Sequence, residues 1–473
     1  MPTSYDVIAY PSKVFPQSHP DRMATHAMMF GVALAPIDAC RVLDIGGGDG
    51  ANLITLAQGF PGARFVSFDL ADSAVRRGRA VIEALGLSNI DVRRGDIRDI
   101  DLGAEPFDYV ICHGVYSWIP ADAREALMAL IRRVLAPEGV AFVSYNALPG
   151  CRMRQVLRDI LLYQVRDLAT PEDRAAAAWR YLDEIVDAYP ETGLFQSLMK
   201  DEARVLKERS LEVMAHDELG EVYHPLYFHE FLSHCRQHGL AFLTEAESGR
   251  CAEGFPPPAA LDDPHFDLMA HIQEMDFKVV RYFRQSLLIH EGRAVERRPD
   301  PAVMFDLHVS TPARRNDKGV FETSSNSFEV TDEKMAEAVE RICQAWPNTV
   351  RVGDVIHDDE RAVVLQRMYW AGTVELHAAP MRFVAQAGER PAANPLARLQ
   401  AASGATRLTS LRHALVDIED PFSREFIAGL DGARTRAELA RDVAARLGAP
   451  LDKAASLLEA NLAVLARMPM LVQ

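Results

Sequence analysis

Directly after the apolar pair Val42-Leu43 the chain reads Asp44-Ile-Gly-Gly-Gly-Asp-Gly50, and this turn limits what the sequence can fold into more than any other segment. Glycines at Gly46, Gly48 and Gly50 remove the Cβ that would keep a ligand off the backbone, and they accept positive φ. Ala51 to Phe60 continues with apolar residues at helical spacing, so the order is strand, tight loop, helix, with the ligand delivered to a helix N-terminus. No Gly-Lys-Ser/Thr follows, which removes a P-loop. Gly46-x-Gly48-x-x-Ala51 also satisfies the dinucleotide fingerprint, and Asp69 stands about 20 residues on, where a ribose-binding acid belongs. Spacing alone leaves the ligand open.

Charge separates the possibilities. A dinucleotide would set two phosphates against Asp44 and Asp49, in a turn without Lys or Arg, where the acids repel them. S-adenosylmethionine brings an ammonium and a sulfonium and no phosphate, and an acid-containing glycine turn suits it.

The next segments continue the pattern. Ala63 to Leu70 is a β-rich run whose last acid is Asp69, Ile90 to Asp96 a third strand ending in Gly-Asp, and Phe107 to His113 and Gly139 to Asn146 two more, with helical Ala121 to Leu135 between them. Alternation of short strands and helices predicts an α/β fold with a Rossmann-like, doubly wound parallel sheet.

Asp44-x-Gly46-x-Gly48-x-Gly50, then Asp69, Gly95-Asp96 and Asp108, together resemble the class I S-adenosylmethionine-dependent methyltransferases. The resemblance implies that Asp44 and the glycines Gly46, Gly48 and Gly50 lie near the methionine part of the cofactor. It puts Asp69 at the ribose and Asp96 and Ile97 at the adenine; Leu70 and His19 complete the candidate cofactor-binding set. Tyr10-Pro11-Ser12, Phe15 to Arg22, Gly114 to Pro120 and Tyr145 to Gly150 are similar to a bacterial subgroup with a methyltransferase regulatory domain, which includes rickettsial protein-lysine methyltransferases. Residue 47 is Gly where that family often has Cys, and the C-terminal third matches only at scattered positions.

Composition fits a globular enzyme: 473 residues, 48% hydrophobic and 25% charged, enough for several domains. A net charge of -16 argues against a nucleic-acid partner. The six cysteines form no CxxC pair, which suggests free thiols in a reducing compartment. Met1 to Ala9 lacks a basic leader, and no apolar run nears the roughly 18 residues of a spanning helix. The expectation is a cytoplasmic protein without membrane insertion; a homodimer is compatible with this reading.

Five regions follow from the pattern. Residues 1–150 hold an N-terminal arm and the cofactor-binding core, and 151–224 a helical insertion of three stretches, Cys151 to Leu168, Pro171 to Ala188 and Phe195 to Met214. Residues 225–292 are expected to supply the last two strands of the core, from Gly239 to Glu245 and Arg281 to His290. Residues 299–395 are expected to form a winged-helix-like domain, with a strand at Met304 to Val309, helical segments at Thr331 to Trp346, Val350 to Ile356 and Asp359 to Ala371, and a strand at Thr373 to His377. Residues 396–473 form a C-terminal helical domain.

Methyl transfer is an in-line displacement in which alignment supplies most of the catalysis. A lysine acceptor must be neutral, a form favoured by aromatic, partly desolvated walls. Tyr116 and Trp118 after the fourth strand, Tyr145 and Asn146 at the end of the fifth, and His113 are therefore the candidate catalytic residues. Tyr5 and Tyr10 of the arm are placed over the same crevice. His234-x-x-x-His238 has the i, i+4 spacing of two metal ligands, with His229 and Cys235 nearby, but no acid or Cys follows at ligand spacing, and no metal is assigned. The favoured reading is methylation of a lysine-containing protein. A small-molecule N- or O-methyltransferase and a non-catalytic S-adenosylmethionine-binding regulator are the alternatives.

Overall fold

The computed structural model describes residues 4–11, 13–190, 192–260, 262–324 and 326–472; Ser12 of the Tyr10-Pro11-Ser12 motif and Met1 to Thr3 of the Met1 to Ala9 stretch lie outside them. Runs rich in β-branched and aromatic residues form β1 (Arg41–Ile45), β2 (Arg64–Asp69), β3 (Ile90–Arg94), β4 (Phe107–Cys112) and β5 (Leu135–Asn146). These five lie parallel, and β6 (Leu240–Glu245) and β7 (Phe283–His290) extend the sheet beyond β5 as an antiparallel pair. The full order is β3-β2-β1-β4-β5-β7-β6. It reverses between β1 and β4, the point at whose carboxyl edge sheets of this kind bind ligands.

Successive residues of each central strand bury opposite faces of the sheet. Val42, Tyr109, Ile111 and Phe142 pack with the helices Pro20–Met29 and Ala51–Gly59. Leu43, Val110, Cys112 and Val143 pack beneath the helices Ala121–Val134 and Phe228–Gln237. The first core continues without a break into Met304, Val309, Val339 and Leu365 of the middle region. The helices Cys151–Gln164, Pro171–Ala188, Leu194–Lys207 and Leu211–Leu219 close on their own core of Leu157, Leu182, Met199 and Met214. A further core joins the helices Pro395–Ala402, Pro421–Ala428, Arg436–Leu447 and Leu451–Arg467 through Ala397, Ile427, Leu439 and Leu462.

Three local expectations change. The stretch Phe195 to Met214 is two helices, because the Ser210 hydroxyl accepts the Val213 N–H and starts a new one. Val350 to Ile356 is helical only at Val352–Asp354, as a single 3-10 turn. Its β-branched residues give a two-residue strand, Val350–Arg351, paired with His308–Ser310 and followed by a single turn, Val352–Asp354. The strand expected at Met304 to Val309 begins only at His308, after a 3-10 turn at Pro301–Asp306. Among the described residues no helix is long and apolar enough to cross a membrane, and all six cysteines are free.

Candidate active site

The turn after β1 holds Gly46, Gly48 and Gly50 at φ of 68°, 60° and 74°. A Cβ on Gly48 would meet nothing within 4 Å, so its backbone faces open space, while its N–H donates to Asp69 Oδ2 at 2.9 Å. At Gly47 the reason for glycine differs: a Cβ there would lie 2.3 Å from Ser67 Oγ and 2.9 Å from the Asp44 carboxylate. Asp44 is buried, and burial pushes its carboxyl up to about 7, against the partial relief of a 3.4 Å contact from Asn52 Nδ2.

Asp69 ends β2 with both oxygens engaged by backbone, Oδ2 by Gly48 and Oδ1 by the Ala71 N–H at 2.8 Å. Burial raises its pKa in spite of these donors. The Leu70 side chain beside it is 47% exposed. A bond from the Gly95 N–H to the Asp69 carbonyl, 3.0 Å long, draws the end of β3 alongside. There Asp96 accepts from the Arg98 N–H and pairs with its guanidinium at 2.9 Å, and Ile97 is half-buried. Asp44, Asp69, Leu70, Asp96 and Ile97 thus occupy the carboxyl ends of three adjacent strands.

Two of the candidate acceptor-side residues stand at the ends of β4 and β5. His113 packs 3.9 Å from the Phe15 ring and edge-on to Phe283, and its Nδ1 is buried with no hydrogen-bond partner. Burial first, then the Lys13 charge, lowers its pKa to about 4, so the ring is neutral. Asn146 is buried; its N–H donates to Ser117 Oγ at 2.9 Å, and its carboxamide has no hydrogen-bond partner among the described residues.

Tyr116 and Tyr145, at the same strand ends, turn their side chains into the core. Both are packed into the core against Phe231, and the Tyr116 hydroxyl is 2.7 Å from His234 Nδ1. Residue alternation explains Tyr145, which shares the face of Val143 and not that of Asn146. Trp118 is half-buried against Tyr223, with the Arg154 guanidinium 5.4 Å from its ring, and Arg154 is held by Glu218 at 2.5 Å. It anchors the helical insertion to the loop after β4.

The N-terminal arm crosses the same end of the sheet. The Asp6 carboxylate accepts the Ser73 N–H at the start of the helix Asp72–Leu85, and Tyr5 stacks on His216 of the insertion at 4.1 Å. Burial, Asp217 and Asp69 together push the Tyr5 hydroxyl up to about 12. Tyr10 also packs on His216. His19 caps the helix Pro20–Met29 by accepting the Asp21 N–H, its ring edge-on to Phe60 and His413. Phe15, Asn52 and His216 were not identifiable as site residues from sequence. The one usable signal was Asn52, a polar residue in the first turn of an otherwise apolar helix.

Residues 42–139 match the family described as methyltransferase domain, 210–290 the predicted methyltransferase regulatory domain, and 389–449 the PKMT C-terminal winged helix domain. The winged-helix match begins at residue 389 and lies mostly in the region 396–473. The chain is 32% identical over 296 residues to Uncharacterized protein RP789 of Rickettsia prowazekii (strain Madrid E), a match covering 62% of this chain and 54% of that protein. It is 29% identical over 241 residues to Uncharacterized protein RP028 of the same organism, covering 51% and 96%. The chain therefore spans about half the length of the first of these relatives. Among solved structures, PKMT2 from Rickettsia typhi has the same fold, with a TM-score of 0.85 at 21% identity over 98% of this chain and 100% of that one. Its complex with AdoHcy gives a TM-score of 0.84 at 22% identity over 98% and 100%. With its 3-2-1-4-5-7-6 sheet and glycine turn, the chain carries a class I S-adenosylmethionine-dependent methyltransferase domain, joined to a methyltransferase regulatory domain and a PKMT-type winged helix domain.

Proposed function

We propose that this protein methylates a lysine side chain of a polypeptide, using S-adenosylmethionine. The residues present fit that cofactor: an acid-flanked turn without a basic residue, an open backbone at Gly48, an exposed Leu70 after β2 and a half-buried Ile97 after β3. Asp44 and the turn would hold the amino-acid end, Asp69 the ribose hydroxyls, Asp96 the adenine amine, and Leu70 and Ile97 the faces of the ring. When bound, S-adenosylmethionine supplies an electrophilic methyl group on a cationic sulfur.

The chain's own residues act on the acceptor. A lysine amine attacks only after losing a proton, and the apolar Phe15 and Phe283 rings that pack on His113 would favour the neutral amine beside them. His113, neutral because its pKa lies near 4, adds no positive charge beside the cofactor. The free Asn146 carboxamide can accept a hydrogen bond from the amine and fix its lone pair.

The observation that carries the lysine reading is an uncharged His113 packed between the Phe15 and Phe283 rings at the end of β4, with the unpartnered Asn146 carboxamide at the end of neighbouring β5. A polypeptide acceptor is supported by the apolar side chains exposed just outside. Phe277, Val279, Val280 and Tyr282, each at least 50% exposed, lead directly into Phe283, which pairs with Asn146 in the sheet. Action in the cytoplasm agrees with the six free thiols.

Incubating the purified chain with radiolabelled S-adenosylmethionine and fractionated cell extract tests the reading. The expected result is label in protein, recovered as methyl-lysine after hydrolysis. Label confined to small molecules would favour the metabolite alternative, and cofactor binding without any transfer would favour a regulator.

A further inference from the structure

Away from the crevice, Glu125, His234 and His238 converge between the helices Ala121–Val134 and Phe228–Gln237, with one ligand-type atom from each inside a 4.8 Å cluster. We propose that these three residues bind a zinc ion that clamps the methyltransferase domain to the regulatory domain. Glu125 belongs to the first of these segments and both histidines to the second.

The distances fit a single ion. His234 Nε2 stands 3.3 Å from Glu125 Oε1, and His238 Nε2 stands 3.1 Å from Glu125 Oε2. Nitrogen and oxygen ligands at about 2.0–2.1 Å from zinc in a tetrahedron are separated by roughly 3.3 Å. The i, i+4 spacing puts both imidazoles on one helix face, and the acid missing from the local sequence arrives from the preceding domain.

A second observation distinguishes this cluster from an ordinary hydrogen-bonded group. His234 Nε2 is buried and, although 3.3 Å from a carboxylate, makes no hydrogen bond. His234 Nδ1 lies 2.7 Å from the Tyr116 hydroxyl. With the Nδ1 proton donated to that oxygen, Nε2 turns its lone pair toward Glu125, an arrangement that a cation between them relieves. Such an outer partner for a ligating imidazole is the usual means of fixing its tautomer and orientation.

Glu125 is 64% exposed on its side chain, which leaves an entry path and a coordination position for water. Nitrogen ligands with one carboxylate favour zinc over calcium or magnesium, which prefer all-oxygen sites. Arg124 is the nearby opposing charge, and its guanidinium is engaged by the Ile119 carbonyl at 2.7 Å. The buried Tyr116 ties this centre to the loop after β4, so metal binding would stiffen the link between the two domains.

The test uses the full chain after treatment with chelator. Calorimetric titration with zinc chloride should give one ion per chain, cobalt should give the visible spectrum of a tetrahedral site, and zinc should raise the melting temperature. His238→Ala and Glu125→Gln should each lose all three signals while melting like the metal-free wild type. The proposal is overturned if the wild type binds no zinc at micromolar concentration. It is equally overturned if both variants bind zinc as tightly as wild type, since the ion then lies elsewhere.

Discussion

His413 Nε2 lies 2.9 Å from Asn52 Oδ1, so a C-terminal residue 361 positions away hydrogen-bonds the helix that starts at the glycine turn. The same carboxamide oxygen accepts the Phe15 N–H at 3.0 Å, and the amide nitrogen approaches Ser18 Oγ at 3.2 Å and Asp44 Oδ2 at 3.4 Å. One buried side chain thus joins the N-terminal arm, the methyl-donor turn and the C-terminal part of the chain. His413 is buried and held neutral by desolvation, with a positive φ of 57°.

His413→Ala removes the donor and leaves Asn52 with a weakened hold on Asp44. A lost buried hydrogen bond costs about 1–3 kcal/mol, so denaturant unfolding should register that decrease, and calorimetry should register several-fold weaker S-adenosylmethionine binding. Combining it with Asn52→Ala should be clearly non-additive. Unchanged affinity together with additive stabilities would remove the link.

Asp69→Ala should weaken cofactor binding by roughly 10- to 100-fold, the equivalent of a hydrogen bond to a charged group. Part of that loss comes from freeing the Gly48 and Ala71 N–H groups, which Asp69 now fastens. Asp69→Asn keeps one acceptor oxygen and should fall between the two. If calorimetry gives wild-type affinity for Asp69→Ala, the ribose assignment is wrong.

The glycine turn and the strands around it were legible because each carries a local signal: positive-φ glycines, β-branched runs, and acids at strand ends. The same signals reached β6 and β7, since Leu240–Glu245 and Phe283–His290 are apolar runs of strand length. What sequence could not give was side-chain direction at the rim. Tyr116 and Tyr145 sit at the ends of β4 and β5 and still point into the core, where Phe231, far later in the chain, receives them. Asn52 to His413 and Glu125 to His234 are contacts of tertiary packing, and no local pattern announces them.

Gly47→Ala should destabilise the turn by about 1–3 kcal/mol, the usual cost of overpacking, because the new Cβ meets Ser67 Oγ at 2.3 Å. Ser67 Oγ is buried and makes no hydrogen bond, so Ser67→Ala alone should cost little and should restore part of the stability of Gly47→Ala. Full additivity of the two substitutions in thermal melts would show that the clash does not set the cost.

Cofactor binding should depend on pH through Asp44. Its folded-state pKa of about 7 lies above the ordinary 3.8 because of burial, so between these values the folded protein holds a proton that the unfolded chain has lost. Its contribution to stability therefore declines as pH rises through that window and is level above it. Binding of a cation runs the other way, since only the ionised carboxylate attracts the ammonium and sulfonium. Affinity for S-adenosylmethionine should accordingly rise between about pH 6 and pH 8 in the wild type, whereas Asp44→Asn should bind more weakly with a flatter profile. Calorimetric titrations of both proteins across that range decide it: parallel profiles would mean that another group controls the response and that Asp44 does not face the cationic end of the cofactor.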